Sequence, residues 1–242
     1  ITDLAAFVER KVQEVVKANT LQVEIKLPSG EVKAVGRQHR QFPQLVSYLG
    51  LRLNVYLAGD AGSGKTTAAE KAAEALGLRF YGQSMGPQTT ASNIFGFVAA
   101  NGSYVPGFIY RPMVEGGVVL FDEIDRCNEA ILTMLNSTLA NGFCLFPNGE
   151  LSKAHPDFIV IAAGNTFGFG ASSDFHTARK QDRALLSRFV RLAWDYDEEF
   201  ERSLVPAQFH GWVAYVQRIR KVAVQHGIPS LRLTPRTSIY GA

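Results

Sequence analysis

The sequence lacks the features on which disulfide-stabilised, membrane-spanning and disordered proteins depend. It has only two cysteines, Cys127 and Cys144, among 242 residues, which excludes a disulfide scaffold. No apolar run approaches the ~20 residues that a membrane helix needs. Hydrophobic residues make up 46% of the chain, which excludes the low hydropathy of a disordered protein. The composition therefore predicts a globular protein that does not span a membrane.

Signals for export, nucleic-acid binding and metal binding are also sparse. The first residues show no basic stretch followed by an apolar one, and the two cysteines without CxxC spacing fit a reducing compartment. The net charge of +3 is too balanced to indicate a nucleic-acid-binding protein by itself. The histidines have no ligand spacing. We therefore expect a cytoplasmic protein without a metal site built from protein ligands alone.

Hydrophobic periodicity divides the chain into three parts. Helical spacing predicts an amphipathic helix over residues 3–18, and alternation around Pro28-Ser29-Gly30 predicts a β-hairpin after it. From residue 51, short apolar runs alternate with helical segments, which is typical of a parallel sheet buried on both faces. The predicted strands lie near residues 51–58, 78–81, 117–121, 158–163 and 189–194, and the predicted helices at 41–49, 65–76 and 129–140. An apolar stripe over residues 209–223 predicts a final helical unit.

A glycine-rich loop joins the first strand of that predicted sheet to a helix. Its residues are Gly59, Asp60, Ala61, Gly62, Ser63, Gly64, Lys65 and Thr66, followed by Thr67. They fit the pattern G-x-x-x-x-G-K-[ST] between a strand and a helix, the context that a phosphate-binding P-loop requires. The backbone N–H groups of such a loop and the helix N-terminus bind phosphate. Lys65 is predicted to reach the β- and γ-phosphates, and Thr66 to ligate Mg²⁺.

Polar residues follow two other predicted strands. Asp122 and Glu123 come directly after the apolar run 117–121, and Asn165 follows the run 158–163. Asp122 is predicted to hold Mg²⁺ with Thr66, and Glu123 to polarise the attacking water as a general base. The Asn165 amide is a candidate to orient that water or to contact the γ-phosphate, although asparagine is also common in strand-end turns.

In this order, the motifs resemble those of AAA+ ATPases of the helix-2-insert clade, in the MoxR, CobS-like and dynein-related group. The resemblance covers residues 39–240. Beyond the P-loop it rests on the segments 107–117, 140–158, Leu185-Leu186-Ser187-Arg188-Phe189 and Leu233-Thr234-Pro235-Arg236. It implies a P-loop AAA+ α/β fold, ATP hydrolysis with Mg²⁺, a homo-oligomeric ring, a hexamer in most of the family, and a bacterial or phage origin.

The resemblance also assigns roles to three side chains by their position. Asn165 matches the residue called sensor 1, and Arg236 matches sensor 2 of the helical lid. Arg188 matches the arginine finger, which reaches the ATP of the neighbouring subunit and stabilises charge on the γ-phosphate. The family usually has aspartate where this chain has Ser187, so the placement of the finger is open, and Arg183 is a competing candidate.

Two segments with Asn-Gly turn signals, 94–108 and 143–151, correspond to the hairpin insertions of this clade. In the family, such hairpins face the central pore or the top of the ring and contact the substrate. We therefore expect them to contact a protein partner, with Phe97 and Tyr104 as candidate contact residues. The alternative is that both side chains pack the hairpin onto the sheet.

The resemblance predicts three regions. Residues 1–38 form an N-terminal helix and hairpin, residues 39–197 the α/β ATPase core, and residues 198–242 the start of a helical lid that carries Arg236. Lids of this family continue beyond the sensor 2 arginine, so we expect this lid to be incomplete.

Several functions fit these motifs. The leading hypothesis is an ATP-driven ring motor that remodels or assembles a protein partner. The alternatives are a nucleic-acid motor of phage or restriction systems, a cobaltochelatase-type metal-insertion subunit, and an assembly module that binds ATP with little turnover. Residues 94–108 contain no Lys or Arg, which weakens the nucleic-acid alternative, and Glu123 argues against the low-turnover module. No guanine-recognition motif is present, but McrB-type motors of this clade use GTP, so the choice between ATP and GTP is open.

Overall fold

The computed structural model of this protein describes residues 22–26, 32–168, 170, 180–228 and 233–242. The predicted helix over residues 3–18 lies outside these ranges. Among the described residues, none of the helices combines the length and the apolar character needed to cross a bilayer.

Strands and helices alternate along the described chain. The N-terminal elements are β1 (Gln22–Lys26), β2 (Val32–Arg37) and α1 (Phe42–Gly50). The central elements are β3 (Val55–Ala58), α2 (Lys65–Ala75), β4 (Phe80–Ser84), α3 (Ala91–Phe95), β5 (Gly96–Val98), β6 (Tyr104–Pro106), α4 (Tyr110–Glu115), β7 (Gly117–Asp122), α5 (Glu129–Asn141), β8 (Phe143–Leu145), β9 (Leu151–Lys153), β10 (Phe158–Gly164), α6 (Arg183–Leu186) and β11 (Val190–Ala193). The C-terminal helices are α7 (Glu198–Ser203), α8 (His210–Gln225) and α9 (Pro235–Tyr240).

Five parallel strands form the central sheet, in the order β11-β3-β10-β7-β4, which confirms the predicted architecture. β10 lies between two of them, with Ile161 opposite Val55 of β3 and Leu120 of β7. Because the strands are parallel, all their carboxyl ends meet at one edge. The P-loop, Asp122 and Asn165 each follow or end one of these strands, so the topology brings them together.

Helices cover both faces of the sheet, and the strand residues alternate between two apolar clusters. Val118 and Leu120 of β7 pack with the alanine-rich face of α2 and with α1. Val119 and Phe121 pack on the opposite face with residues of α3, α4 and α5. Burial on both faces explains why the strands read as continuous apolar runs.

Two strands begin later than the apolar runs predict. β3 begins at Val55, because Leu51 is 70% exposed in the turn after α1 and Arg52 has a left-handed backbone, with a φ of 60°. β4 begins at Phe80, since the Leu78 N–H is used to close α2 by bonding to the Ala73 carbonyl. Apolar character alone does not separate a strand from the turn that leads into it.

Two small hairpins form where the Asn-Gly turns predict them, β5–β6 and β8–β9. Tyr104 anchors the first hairpin: its hydroxyl donates to the Phe95 carbonyl at 2.7 Å, and its ring lies 5.6 Å from that of Tyr110. Phe97, in contrast, is 46% exposed. The structure therefore separates the two candidate contact residues, with Tyr104 packing the hairpin and Phe97 presenting its ring to solvent.

The C-terminal helices are joined by a buried ion pair that the sequence reasoning missed. Arg220 of α8 donates two hydrogen bonds to the Glu201 carboxylate of α7, at 2.8 and 3.0 Å. Ser238 of α9 donates to the same carboxylate at 2.5 Å, and Arg220 Nε donates to the Leu233 carbonyl. Burial raises the pKa of Glu201, but the hydrogen bonds from Arg220, Ser238 and Gln217 and the charge of Arg220 outweigh it, so the pKa is lowered.

Replacement of one residue of this ion pair should show how much the pair contributes to the free energy of unfolding. Glu201→Gln leaves Arg220 buried without its counter-charge and should lower the free energy of unfolding by about 3–5 kcal/mol, measured by urea titration. Glu198→Gln is the matched control, because it breaks the exposed pair with Lys221 and should cost less than about 1 kcal/mol. Equal losses in the two variants would contradict a special role for the buried pair. The Glu201 contribution should be present above about pH 4.5, the ordinary pKa of Glu, and be lost as the pH falls through the lowered pKa.

His39 connects the segment before α1 to the end of β11. Its ring stacks on Trp194 with the centroids 4.2 Å apart, and its Nδ1 accepts the Gln41 backbone N–H. Nε2 must then carry the proton of a neutral ring, and it donates to the Asp195 carbonyl at 2.7 Å. Burial lowers the pKa of His39.

The lowered pKa predicts acid sensitivity of this junction. The unfolded chain binds a proton to His39 near pH 6.5 while the folded chain does not, so stability is fully present above that pH and is lost as the pH falls through the lowered folded pKa. Thermal unfolding of the wild type should therefore shift downward between about pH 7.5 and about pH 5.5. His39→Phe keeps a ring to stack on Trp194 and should show a smaller shift over this range. A shift of the same size in both proteins would rule out His39 as the titrating group.

Candidate functional site

The loop between β3 and α2 needs glycine at three positions for two different reasons. Gly62 has a φ of 78° and Gly64 one of 85°, a region that residues with a Cβ atom rarely adopt. A Cβ atom at Gly59 would overlap the backbone carbonyl of Trp194. α2 begins at Lys65, so the unpaired N–H groups of its first turn lie at the loop, which is an arrangement that favours anions.

Lys65 lies inside this loop and is 8% exposed. Its ammonium donates to the carbonyl oxygens of Gly59, at 2.7 Å, and Asp60, at 3.0 Å. Burial lowers the pKa of Lys65, and the negative charges of the surrounding carboxylates oppose that effect, Asp122 most strongly. The site thus places one buried cation beside the acidic residues that follow β7.

Thr66 and Asp122 face each other across the loop. The Thr66 hydroxyl donates to Asp122 Oδ2 at 2.7 Å, and Asp122 Oδ1 accepts the Glu123 backbone N–H at 2.9 Å. A hydroxyl and a carboxylate oxygen are ligands that Mg²⁺ takes in proteins, where phosphate and water complete its octahedral shell. The pair therefore fits a Mg²⁺ ion that arrives with a nucleotide.

Glu123 occupies a constrained turn after β7. Its φ of 53° is left-handed, which is uncommon for a residue other than glycine and is typical of functional sites. Its carboxylate accepts a hydrogen bond from Arg126 at 3.0 Å, a partner that the sequence reasoning did not anticipate. Glu123 nevertheless lines the same cavity as Asp122.

A cavity of about 600 Å³ brings most of the predicted site residues together. Its lining includes Ala61, Gly62, Ser63, Gly64, Lys65, Thr66, Thr67, Asp122, Glu123, Asn165 and Arg236. Gly59 and Asp60 contribute through their carbonyl oxygens, which hold Lys65. The volume lies within the range typical of pockets for drug-sized ligands. One anion-binding loop, one hydroxyl–carboxylate pair and a large cavity together fit a nucleoside triphosphate with Mg²⁺.

Arg188 lies outside this cavity. It is exposed, it is not among the described residues that line the cavity, and its Nε donates to Asn136 of α5 at a long distance of 3.4 Å. Arg183, the competing candidate, is also exposed and outside the lining. Ser187, which replaces the usual aspartate, donates its hydroxyl to the Ala184 carbonyl and so caps its own helix.

Residues on the C-terminal side of the sheet lie against the P-loop, and two of them, Trp194 and Tyr196, hold it through hydrogen bonds that the sequence reasoning missed. The Trp194 indole donates to the Ser63 carbonyl at 3.1 Å, and the Tyr196 hydroxyl donates to the Ala61 carbonyl at 2.8 Å. A Cβ atom at Gly62 would lie 3.1 Å from Thr234, which precedes α9. Position supplies the signal that could have found the first two, because they follow β11 at the same edge of the sheet.

Comparison with known sequences finds bacterial relatives. An uncharacterized protein of Staphylococcus saprophyticus is 30% identical over 176 residues, which cover 67% of this chain and 63% of that protein. An uncharacterized protein of Staphylococcus haemolyticus is 29% identical over 160 residues, which cover 60% of this chain and 57% of that protein. This chain therefore spans less than two thirds of the length of these relatives.

Comparison with solved structures finds the same fold. The crystal structure of NtrX from Brucella abortus matches with a TM-score of 0.54 and 15% identity, over 93% of this chain and 46% of NtrX. NtrX in complex with ADP matches with a TM-score of 0.52 and 15% identity, over 78% of this chain and 41% of NtrX. At this level of identity, the likeness shows the fold alone.

The family assignment rests on the segment that contains the P-loop, Asp122, Glu123, Asn165 and Arg188. Residues 54–189, more than half of the chain, match the family described as AAA domain (dynein-related subfamily). This match agrees with the dynein-related part of the resemblance that the motifs indicate. The chain belongs to the dynein-related subfamily of AAA domains.

Proposed function

We propose that this protein is the ATPase subunit of a ring-shaped oligomer and hydrolyses ATP with Mg²⁺. The observation that carries the proposal is the contact of 2.7 Å between Thr66 and Asp122, beside buried Lys65 and next to Glu123. This is a complete set of groups for binding a triphosphate and activating water, held in one cavity. The membership of the AAA family and the ADP complex of the structurally similar NtrX support nucleotide binding.

The residues of the cavity have distinct roles in this proposal. Lys65 and the N–H groups of the P-loop bind the β- and γ-phosphates, and Thr66 with Asp122 holds Mg²⁺, which neutralises charge on the phosphates. Glu123 accepts a proton from the attacking water, for which its carboxylate must separate from Arg126. Asn165 orients this water, and Arg236 ties α9 to the nucleotide.

The position of Arg188 supports a site shared between subunits. Its side chain is exposed, does not line the cavity of its own chain, and lies near Asn136 of α5. An arginine that stabilises the γ-phosphate must come within hydrogen-bond distance of it, so Arg188 can act only on the site of a neighbour. A closed ring, a hexamer in most of the family, satisfies this requirement for every subunit.

The hairpins support a protein as the partner of this ring. Phe97 of β5, Phe143 and Leu145 of β8 and Leu151 of β9 are all at least 44% exposed. Exposed apolar side chains on a surface are a common feature of protein-binding sites when they form a patch. We therefore favour a MoxR- or CobS-like role in the cytoplasm, in which ATP hydrolysis remodels or assembles a protein partner.

The first test is hydrolysis by single-site variants. Glu123→Gln removes the general base and should lower kcat by about 10²–10⁴-fold while nucleotide still binds, measured by phosphate release and by a fluorescent ATP analogue. Lys65→Ala should weaken binding itself. Glu129→Gln is the matched control, because Glu129 is an exposed residue at the start of α5 and should leave turnover unchanged. Full activity of Glu123→Gln would contradict the proposed mechanism.

The shared site makes a second prediction. Turnover per subunit should rise steeply with protein concentration, in step with oligomer formation measured by light scattering. Arg188→Ala should lower turnover by about 10³–10⁵-fold while each subunit still binds ATP. Mixing it with Glu123→Gln should restore part of the activity, since an intact Arg188 then meets an intact Glu123 at some interfaces. Turnover that is independent of concentration and of Arg188 would leave a monomeric nucleotide enzyme.

A further inference from the structure

Three buried polar side chains surround the loop after β10, and the proposed hydrolysis uses none of them. Tyr56 and Asp125 are each 1% exposed, and Gln181 is 4% exposed. Tyr56 lies on β3 before the P-loop, Asp125 lies in the turn after Glu123, and Gln181 precedes α6, which leads to Arg188. The three side chains thus lie on segments that lead to three different parts of the proposed catalytic site.

Asp125 fixes the start of this loop. Its Oδ2 accepts the backbone N–H of Asn165 at 2.9 Å. Burial raises the pKa of Asp125, while the backbone N–H groups of Asn165 and Thr166 oppose that effect by bonding to the carboxylate. The backbone from which the Asn165 amide projects is therefore held by a carboxylate two residues beyond Glu123.

The same three side chains leave no room for a Cβ atom at the glycines that begin and end the loop. A Cβ atom at Gly164 would lie 2.6 Å from the Tyr56 hydroxyl and 3.2 Å from Asp125 Cγ. A Cβ atom at Gly168 would lie 2.9 Å from Gln181 Oε1, and the Gln181 N–H donates to the Gly168 carbonyl at 3.0 Å. Both ends of the loop are therefore packed too closely against these groups to admit a Cβ atom, while Asn165 between them lines the cavity.

The polar groups of this cluster are incompletely hydrogen-bonded. Within the described part of the chain, Tyr56 Oη, Asp125 Oδ1 and both amide atoms of Gln181 make no hydrogen bond of good geometry, although the Gln181 side chain lies close enough to the Tyr56 hydroxyl to interact with it. Burial, and then the charge of Asp125, raises the pKa of Tyr56, so its hydroxyl stays protonated and can donate. Buried polar groups cost folding free energy unless they are hydrogen-bonded, so three of them around one loop indicate a role beyond packing.

We propose that Asp125, supported by Tyr56 and Gln181, is the positioning residue that holds Asn165 for hydrolysis and connects it to the segment carrying Arg188. The inference rests on the proposed function, since Asn165 acts only in that reaction. Asp125 does not contact the nucleotide in this scheme. The charge of Asp125 also acts on Lys65, but its direct contact is with the backbone of residue 165, so its replacement should alter kcat more than nucleotide affinity.

A double-mutant cycle tests the inference in the full-length chain. Asp125→Asn should lower kcat by about 10–100-fold, the scale of a small misplacement at a reacting centre, with affinity for a fluorescent ADP analogue changed less than about twofold. In the Asn165→Ala background, the same change should have almost no further effect, because Asp125 acts through Asn165. A merely structural role predicts independent effects that multiply, and that result would overturn the inference.

Tyr56→Phe keeps the test informative if Asp125→Asn folds poorly. It removes one buried hydroxyl with little loss of packing, so the melting temperature should change little while kcat falls about threefold or more. Tyr81→Phe is the matched control, since the Tyr81 hydroxyl is also buried but lies on β4, away from the loop. Asp157→Asn, which breaks the pair with Arg52, controls for the loss of one carboxylate.

The outcomes separate the two proposals. Turnover in the wild type with unchanged kcat in Asp125→Asn and Tyr56→Phe would overturn the positioning role and leave the ATPase intact. No turnover in the assembled wild type, with Glu123→Gln indistinguishable from it, would overturn the proposed function and this inference with it. Reduced kcat in both variants, normal controls and a non-additive cycle would establish Asp125 as a positioning residue.

Discussion

The parallel hydrogen-bond register of five strands is the constraint on which the rest of the structure depends. In parallel pairing, every strand must end at the same edge, so the turns after β3, β7, β10 and β11 are forced into proximity. Each of these turns supplies a different chemistry: N–H groups, carboxylates, an amide and the aromatic side chains that hold the loop. A shift of register in one strand would separate Thr66 from Asp122, whose contact is only 2.7 Å long.

The central sheet and the residues at its carboxyl edge follow from local sequence. Continuous apolar runs require burial on both faces, and Gly62, Gly64, Lys65 and Thr66 define the P-loop because their backbone and side-chain requirements are specific. The contacts between distant segments cannot be predicted from local sequence. The pair Glu201–Arg220 joins residues 19 positions apart in α7 and α8, and the Trp194 indole reaches Ser63 across 131 positions. No periodicity encodes such contacts, which depend on packing that becomes defined only in three dimensions.

Buried polar groups in this protein concentrate where segments must hold a fixed relation to one another. Lys65 lies among carbonyl groups of its own loop, Asp125 beneath Asn165, and Glu201 between the three C-terminal helices. Apolar contacts tolerate small sliding movements, whereas hydrogen bonds of these lengths specify one geometry. The apolar clusters on the two faces of the sheet supply stability, and these polar contacts fix the relative placement of the loop, the turn and the C-terminal helices.

The anchoring of the β5–β6 hairpin has a consequence for how this protein can diverge. The base of the hairpin is fixed by Tyr104, whose hydroxyl bonds to Phe95 and whose ring packs against Tyr110 and Phe146. The tip, from Phe97 to Ser103, contacts solvent and carries little of the folding free energy. Surface substitutions at such positions are usually close to neutral for stability. Changes at the tip can therefore accumulate over evolutionary time at little cost in stability, and any constraint on them must come from what the hairpin contacts.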